Sequence, residues 1–190
     1  RAAEASLAQP VPVRVQRVAP APMPFLRDGV IQVGLVVENL EKSADMWWKL
    51  FGVGPWKVYS YGRPLLKFLS LRDKPADFHF RIALAWIGPL CIELIEPGEG
   101  ESIYHEFARE HGYGLHHLAA GVEDMRQAIA QAAAAGLVVT QEGGGQGLDG
   151  SGHFAYLDSD TKMDAIVELV EFPKLRVKPD KLYPPPAAGR

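Results

Sequence analysis

The chain is poor in cysteine, in clustered positive charge and in long apolar runs. Its 190 residues hold one cysteine, Cys91, so no disulfide forms within the chain. Cys91 lies in an apolar strand pattern and reads as a buried thiol, which accords with a reducing cytosol. The formal net charge is −3, with 20 Lys and Arg against 23 Asp and Glu, and the basic residues are scattered. That distribution lacks the basic stripe a nucleic-acid partner needs. No run approaches the roughly 20 apolar residues of a membrane-spanning helix, and the visible start has no signal-peptide core. The expectation is a cytoplasmic protein without a nucleic-acid or membrane partner.

Proline is plentiful but segregated. Residues 1–28 contain Gln9-Pro-Val-Pro-Val and Ala19-Pro-Ala-Pro-Met-Pro, and residues 174–190 contain Pro184-Pro-Pro. Repeated prolines favour extended backbone, so both ends read as arms. Between them the chain nearly repeats itself. Residues 29–97 and 115–173 each read as β-α-β-β-β, joined by a linker, 98–114, with a short helix over 102–111. In the first half the pattern predicts strands over 30–37, 56–61, 66–71, 78–87 and 90–95. A helix over 40–50 is opened by Glu38 or Asn39 and stopped by Gly52. In the second half, strands are expected over 115–122, 137–140, 153–158 and 165–171. Asp124 opens a helix there and Gly136 stops it. Modules of this kind bury their faces against each other. The stretch Glu142-Gly-Gly-Gly-Gln-Gly-Leu-Asp-Gly-Ser-Gly is too rich in glycine for regular structure and reads as a loop over a cleft.

Overlaying the halves pairs Gln32 with His117 and Glu93 with Glu168. A carboxylate in the middle of an apolar strand is costly unless paired or metal-bound. Two at equivalent positions of a repeat need a shared reason. In 78–86, alternation puts Phe78, Phe80, Ile82, Leu84 and Trp86 on one face and His79, Arg81, Ala83 and Ala85 on the other. The bulky face is expected under the helices, and the mixed face on the cleft. Trp47, Trp48 and Trp56 are expected in the helix–sheet core or at a subunit interface.

Residues 29–172 resemble the vicinal oxygen chelate superfamily, which includes glyoxalase I, methylmalonyl-CoA epimerase, extradiol dioxygenases and bleomycin-resistance proteins. The resemblance is carried by Gly114-Leu-His-His-Leu-Ala followed by Val122-Glu-Asp, by Ile92-Glu-Leu-Ile-Glu-Pro-Gly and by Val167-Glu-Leu-Val-Glu. It implies an α+β fold, in which paired βαβββ modules form an open, cupped, mixed sheet around one divalent metal. The implied ligands are Gln32, Glu93, His117 and Glu168, with His116 one register off and pointing away. Such a set suits Zn, Ni, Co or Mn better than Fe.

The implied chemistry is proton transfer beside a carbonyl bound on the metal, as in an isomerase, epimerase or glyoxalase-like lyase. Glu168 would be the base and Glu93 the acid or base on the opposite face. Tyr59, Tyr61, His79, Arg81, Phe154 and Tyr156 are the candidates for lining the cleft, with Arg81 able to grip a substrate carboxylate or phosphate. Some family marks are missing. Epimerases and extradiol dioxygenases usually carry His where Gln32 stands. No acid stands near Arg81 and Ile82, where the epimerase has its extra glutamate. No basic set resembles a glutathione clamp. An Fe(II) ring-cleaving dioxygenase and a non-catalytic small-molecule binding protein of the same fold are the alternatives. A homodimer is expected.

Overall fold

The computed structural model describes residues 23–27 and 29–185. The proposed N-terminal arm and the end of the C-terminal arm therefore lie mostly outside the described residues. In chain order the elements are β1 (Gln32–Val36), α1 (Leu40–Phe51), β2 (Trp56–Tyr61), β3 (Phe68–Leu71), β4 (Lys74–Pro75), β5 (Phe80–Ile87), β6 (Leu90–Pro97), α2 (Ile103–His111), β7 (Gly114–Gly121), α3 (Met125–Ala134), β8 (Val139–Gly144), β9 (His153–Leu157), α4 (Asp160–Met163), β10 (Ile166–Glu171) and β11 (Lys181–Tyr183).

The eleven strands of the described residues join one mixed sheet in the order β11-β2-β5-β6-β1-β7-β10-β9-β8-β3-β4. The α+β architecture with an open mixed sheet is the one expected. Its centre is symmetric: β2-β5-β6-β1 from the first half mirrors β8-β9-β10-β7 from the second, and β1 meets β7 antiparallel. The register reproduces the repeat. Gln32 lies two residues before Gly34, the partner of Glu93, and His117 lies two residues before Ala119, the partner of Glu168.

The helices begin where short polar side chains satisfy free backbone donors. Asn39 accepts from the Lys42 amide at 2.8 Å, and Asp124 from the Gln127 amide at 3.0 Å. The strands supply a second, repeat-matched cap. Glu96 accepts from the Leu40 amide at 2.7 Å, and Glu171 from the Met125 amide at 2.8 Å. A carboxylate at a helix N-terminus also meets the positive end of the helix dipole. Gly52 ends α1 at φ 68°, a left-handed conformation that favours glycine. Small residues let each helix sit close on the sheet: Ala44 packs with Ala83, Ala85 and Leu94, and Ala128 and Ala132 pack with Ala155 and Leu169.

Four features depart from the sequence reading. The β3–β4 hairpin leaves its own half and pairs with β8 of the other, with Phe68 opposite Gly144. The two modules therefore interlock. β8 runs through Glu142-Gly-Gly, where a loop was expected. A Cβ at Gly143 would lie 2.6 Å from the Phe154 ring, and one at Gly144 would lie 2.7 Å from the Phe68 ring. These glycines are strand residues that give way to aromatic neighbours. The C-terminal segment is not simply an arm, because β11 pairs with β2. Finally, the faces of β5 are reversed. Ala83 and Ala85 pack under α1, while Phe80, Ile82, Leu84 and Trp86 face the cavity. The reason is steric: a helix docks closest over alanine, which leaves the bulky residues to line the open side.

Candidate metal centre

The carboxylates of Glu93 and Glu168 and the imidazole of His117 meet at the centre of the sheet. Each offers one ligand atom, and these atoms all lie within 4.8 Å of one another. The strands β6, β7 and β10 deliver them from both halves of the chain. All three are buried, His117 to 2% exposure. Gln32, from β1, completes the group by donating from Nε2 to Glu93 at 2.7 Å and to Glu168 at 3.4 Å. Its nitrogen thus faces the carboxylates, and ligation through its oxygen requires a turn of the amide.

The residues fit a divalent cation. His117 Nε2 stands 3.1 Å from Glu168 and 3.5 Å from Glu93. It is aligned for a hydrogen bond with neither and is a buried polar atom without such a partner. Burial alone would depress the His117 pKa, but the two carboxylates outweigh it and raise it to about 9. Glu93 is pushed upward, first by burial and then by the charge of Glu168, against the opposing pull of His117. Two carboxylates buried together thus demand positive charge between them. A proton on His117 supplies one unit of it, and a divalent ion bound by these three side chains supplies two.

A β-bulge shapes this centre. Gly34 pairs with His117 and Leu35 with Leu115, so His116 has no partner on β1. An extra residue of this kind re-aims its neighbours. His116 is not one of the converging ligands, and it packs against the Nδ1 side of His117. It is 4% exposed, its ring lies against Tyr104 and Phe107, and its Nδ1 sits 3.0 Å from Nδ1 of His117. Burial drives the His116 pKa well down, helped by the charge of His117. A neutral His116 can accept the His117 Nδ1 proton, leaving Nε2 of His117 free to ligate. Gly34 provides the room. A Cβ there would lie 1.9 Å from the His117 ring. Neither role shows in residue spacing, because a bulge is decided by strand pairing.

The centre forms the floor of a cavity of about 340 Å³. Of the six expected lining residues, Tyr59, Tyr61, Phe154 and Tyr156 are there. Tyr104 donates to the Tyr156 hydroxyl at 3.0 Å, and burial keeps both phenols neutral. His79 and Arg81 are not. Arg81 pairs across strands with Glu96, and its guanidinium is held by Glu41 of α1 and by Glu96 at 3.1 Å. It lies on the helix side because β5 turns that face toward α1. His79 precedes β5, is exposed, and rests against Gly62. Two lining residues that the sequence reading did not single out are Gln146, from the glycine-rich loop, and Arg176, from the segment between β10 and β11.

Several solved structures share this arrangement of strands. A hypothetical protein from Bacillus halodurans C-125 matches with a TM-score of 0.53 at 20% identity, over 78% of this chain and 97% of that one. Methylmalonyl-CoA epimerase from Mycobacterium tuberculosis matches with a TM-score of 0.54 at 19% identity, over 82% and 93%. A Streptomyces coelicolor methylmalonyl-CoA epimerase variant bound to 2-nitronate-propionyl-CoA matches with a TM-score of 0.55 at 18% identity, over 75% and 95%. At these identities the likeness is one of fold. No curated protein sequence matches. The sequence pattern of one family, however, matches residues 31–156, a span that runs from the strand of Gln32 to Tyr156 and takes in Glu93 and His117. Fold, repeat and family pattern agree: the chain belongs to the Glyoxalase/Bleomycin resistance protein/Dioxygenase superfamily.

Proposed function

We propose that this protein is a divalent-metal-dependent enzyme that transfers a proton at the carbon beside a substrate carbonyl, as an isomerase, an epimerase or a glyoxalase-like lyase does. The observation that carries this reading is the convergence of Glu93, His117 and Glu168, with both carboxylates facing a cavity. Glu93, His117 and Glu168 would hold the ion, with Gln32 as fourth ligand once its amide has turned. When bound, a divalent ion acidifies the C–H next to a carbonyl by drawing charge onto the oxygen.

The chain's own groups do the rest. Glu168 is the proposed base, and Glu93, from the other half of the sheet, is the second acid or base. Two carboxylates delivered by different modules can serve opposite faces of one carbon. Burial raises the affinity of Glu93 for a proton, which suits a group that must take one up at neutral pH. Tyr61, Phe154 and Tyr156 exclude water, so that a proton is held by the carboxylates rather than lost to solvent. The set of one histidine and two carboxylates departs from the two-histidine, one-carboxylate triad of ring-cleaving iron oxygenases. Zn, Ni, Co or Mn is therefore the proposed metal, and the cytosol the proposed location.

Elemental analysis of wild type and His117→Ala tests this directly. About one equivalent of Zn, Ni, Co or Mn is expected in wild type and none in the variant. Glu168→Gln should keep more metal than His117→Ala, yet lose by at least about 100-fold any exchange of substrate α-protons with deuterated water. Iron with oxygen consumption would move the assignment to an oxygenase. Wild type that takes up no metal even on reconstitution would leave a binding protein.

A further inference from the structure

The segment that leaves β10 crosses the open side of the cup before it becomes β11. It is held at both ends. The Lys174 amide donates to Ser151 Oγ at 2.8 Å, and the Leu148 amide to the Leu175 carbonyl at 2.8 Å, which ties the segment to the glycine-rich loop. The Asp180 amide donates to Val58 at 2.8 Å, and the Ser60 amide to the Asp180 carboxylate at 2.7 Å, which ties it to β2. Arg176 and Val177, between these anchors, and Phe172 and Pro173, just before them, line the cavity.

Arg176 stands out there. Outside the metal centre, every other group that lines the cavity is uncharged. Its guanidinium lies 5.2 Å from the centre of the Phe172 ring, and among the described residues no carboxylate pairs with it. Other arginines are taken: Arg72 by Glu106, Arg81 by Glu41 and Glu96, and Arg109 by Glu101. The charge of Arg176 reaches Tyr59 and Tyr61 across the cavity, where it opposes the effect of burial on their protons. The cavity thus holds two carboxylates at the metal centre, one guanidinium over an aromatic ring, and otherwise uncharged lining.

We infer that Arg176 is the specificity residue of the cavity, and that its ligand is an apolar molecule with an oxyanion, a carboxylate or a phosphate, at the end away from the metal centre. A guanidinium takes either oxyanion through two parallel hydrogen bonds and is already oriented by Phe172. The apolar wall formed by Ile82, Leu84, Trp86 and Val170 accommodates the body of the molecule. This rests on the proposed use of the cavity as a substrate site.

The test is made on metal-free protein, so that it stands apart from the metal reading. Octanoate, heptyl phosphate and octanamide share one seven-carbon apolar chain and differ in head group. Each is titrated calorimetrically into wild type, Arg176→Met and Arg176→Lys at neutral pH. Wild type is expected to bind one of the oxyanions at least about tenfold more tightly than octanamide, and the preferred oxyanion identifies the head group. Arg176→Met should lose that preference while binding octanamide as wild type does, and Arg176→Lys should keep part of it. Wild type that binds neither oxyanion better than octanamide, non-binding included, overturns the inference. So does an Arg176→Met variant that keeps the preference. Metal content of the same preparations decides the metal reading separately.

Discussion

At the scale of single residues, the centre depends on three that bind no substrate. Gly34 gives its side-chain volume to the His117 ring. Gly34→Ala is expected to push that ring off the carboxylates, abolish metal retention and lower stability by about 1–3 kcal/mol, the usual cost of overpacking. Metal analysis and thermal melting of the variant check both. His116 orients His117 through the Nδ1 contact. His116→Phe keeps a ring among Tyr104 and Phe107 but removes the acceptor, so the fold should survive. Metal affinity should fall by about 10–100-fold, as read by competition with a chelator. An unchanged affinity would leave His116 a packing residue only.

His117 also makes metal uptake depend on pH. Its raised pKa, about 9, means that Nε2 holds a proton at neutral pH in the metal-free protein. A metal must displace it, so affinity should rise with pH up to about 9 and fall by up to about tenfold for each unit below that. The elevated pKa of Glu93 acts in the same direction. Metal titrations across this range in a non-chelating buffer measure the slope, and a flat profile would contradict the protonated resting state.

At the scale of elements, α1 is joined to the sheet by a charged cluster rather than by apolar packing alone. Glu41 meets Arg81 of β5 and, at 2.7 Å, Lys181 of β11. The Arg81 hydrogen bond lowers its pKa to about 2 despite the opposing effect of burial, and Lys181 adds to the shift. A carboxylate whose folded pKa is depressed contributes stability that is present above its unfolded value and is lost as pH falls through the folded one. Glu41→Gln should therefore melt below wild type at neutral pH, and the gap should close between about pH 4.5 and pH 2. Because Glu41 is only half-buried, the gap should be small and shrink in high salt. A gap independent of pH would show that the substitution acts through packing.

Much at this scale is legible in the chain. The caps Asn39 and Asp124 lie where polar residues precede periodic apolar ones, and β2 spans the expected 56–61. The reversed face of β5 was not legible. Alternation says which residues share a face but not which face meets a helix, and bulk alone points the wrong way. The glycines of β8 misled for a similar reason: in isolation they break strands, whereas beside Phe68 and Phe154 they make room for rings.

At the scale of the molecule, the two halves are joined through β1 and β7 and again through the β3–β4 hairpin on β8. The candidate metal centre sits on the first of these joints, so neither half can build it alone. One end of α1 leaves Met46, Trp48, Leu50 and Phe51 exposed, Phe51 to 73%. Apolar groups clustered on a surface mark contact sites, and a homodimer is the proposed state. Sedimentation should give about twice the 20.8 kDa of the chain, and Phe51→Lys should shift it toward the monomer. Sedimentation as a monomer throughout would refute the dimer. Among the described residues, no helix is long and apolar enough to cross a membrane.

The sequence by itself determined the repeat, and through it the pairing of Gln32 with His117 and of Glu93 with Glu168. Strand alternation and helix caps are local, so they survive translation into a list of residues. Only the tertiary structure decided which groups surround that centre. The bulge at His116, the space at Gly34, the turning of Arg81 toward Glu41 and Glu96, and the passage of Arg176 over the cavity all depend on which strand lies beside which. Those pairings join residues far apart in the chain, where no local pattern reaches.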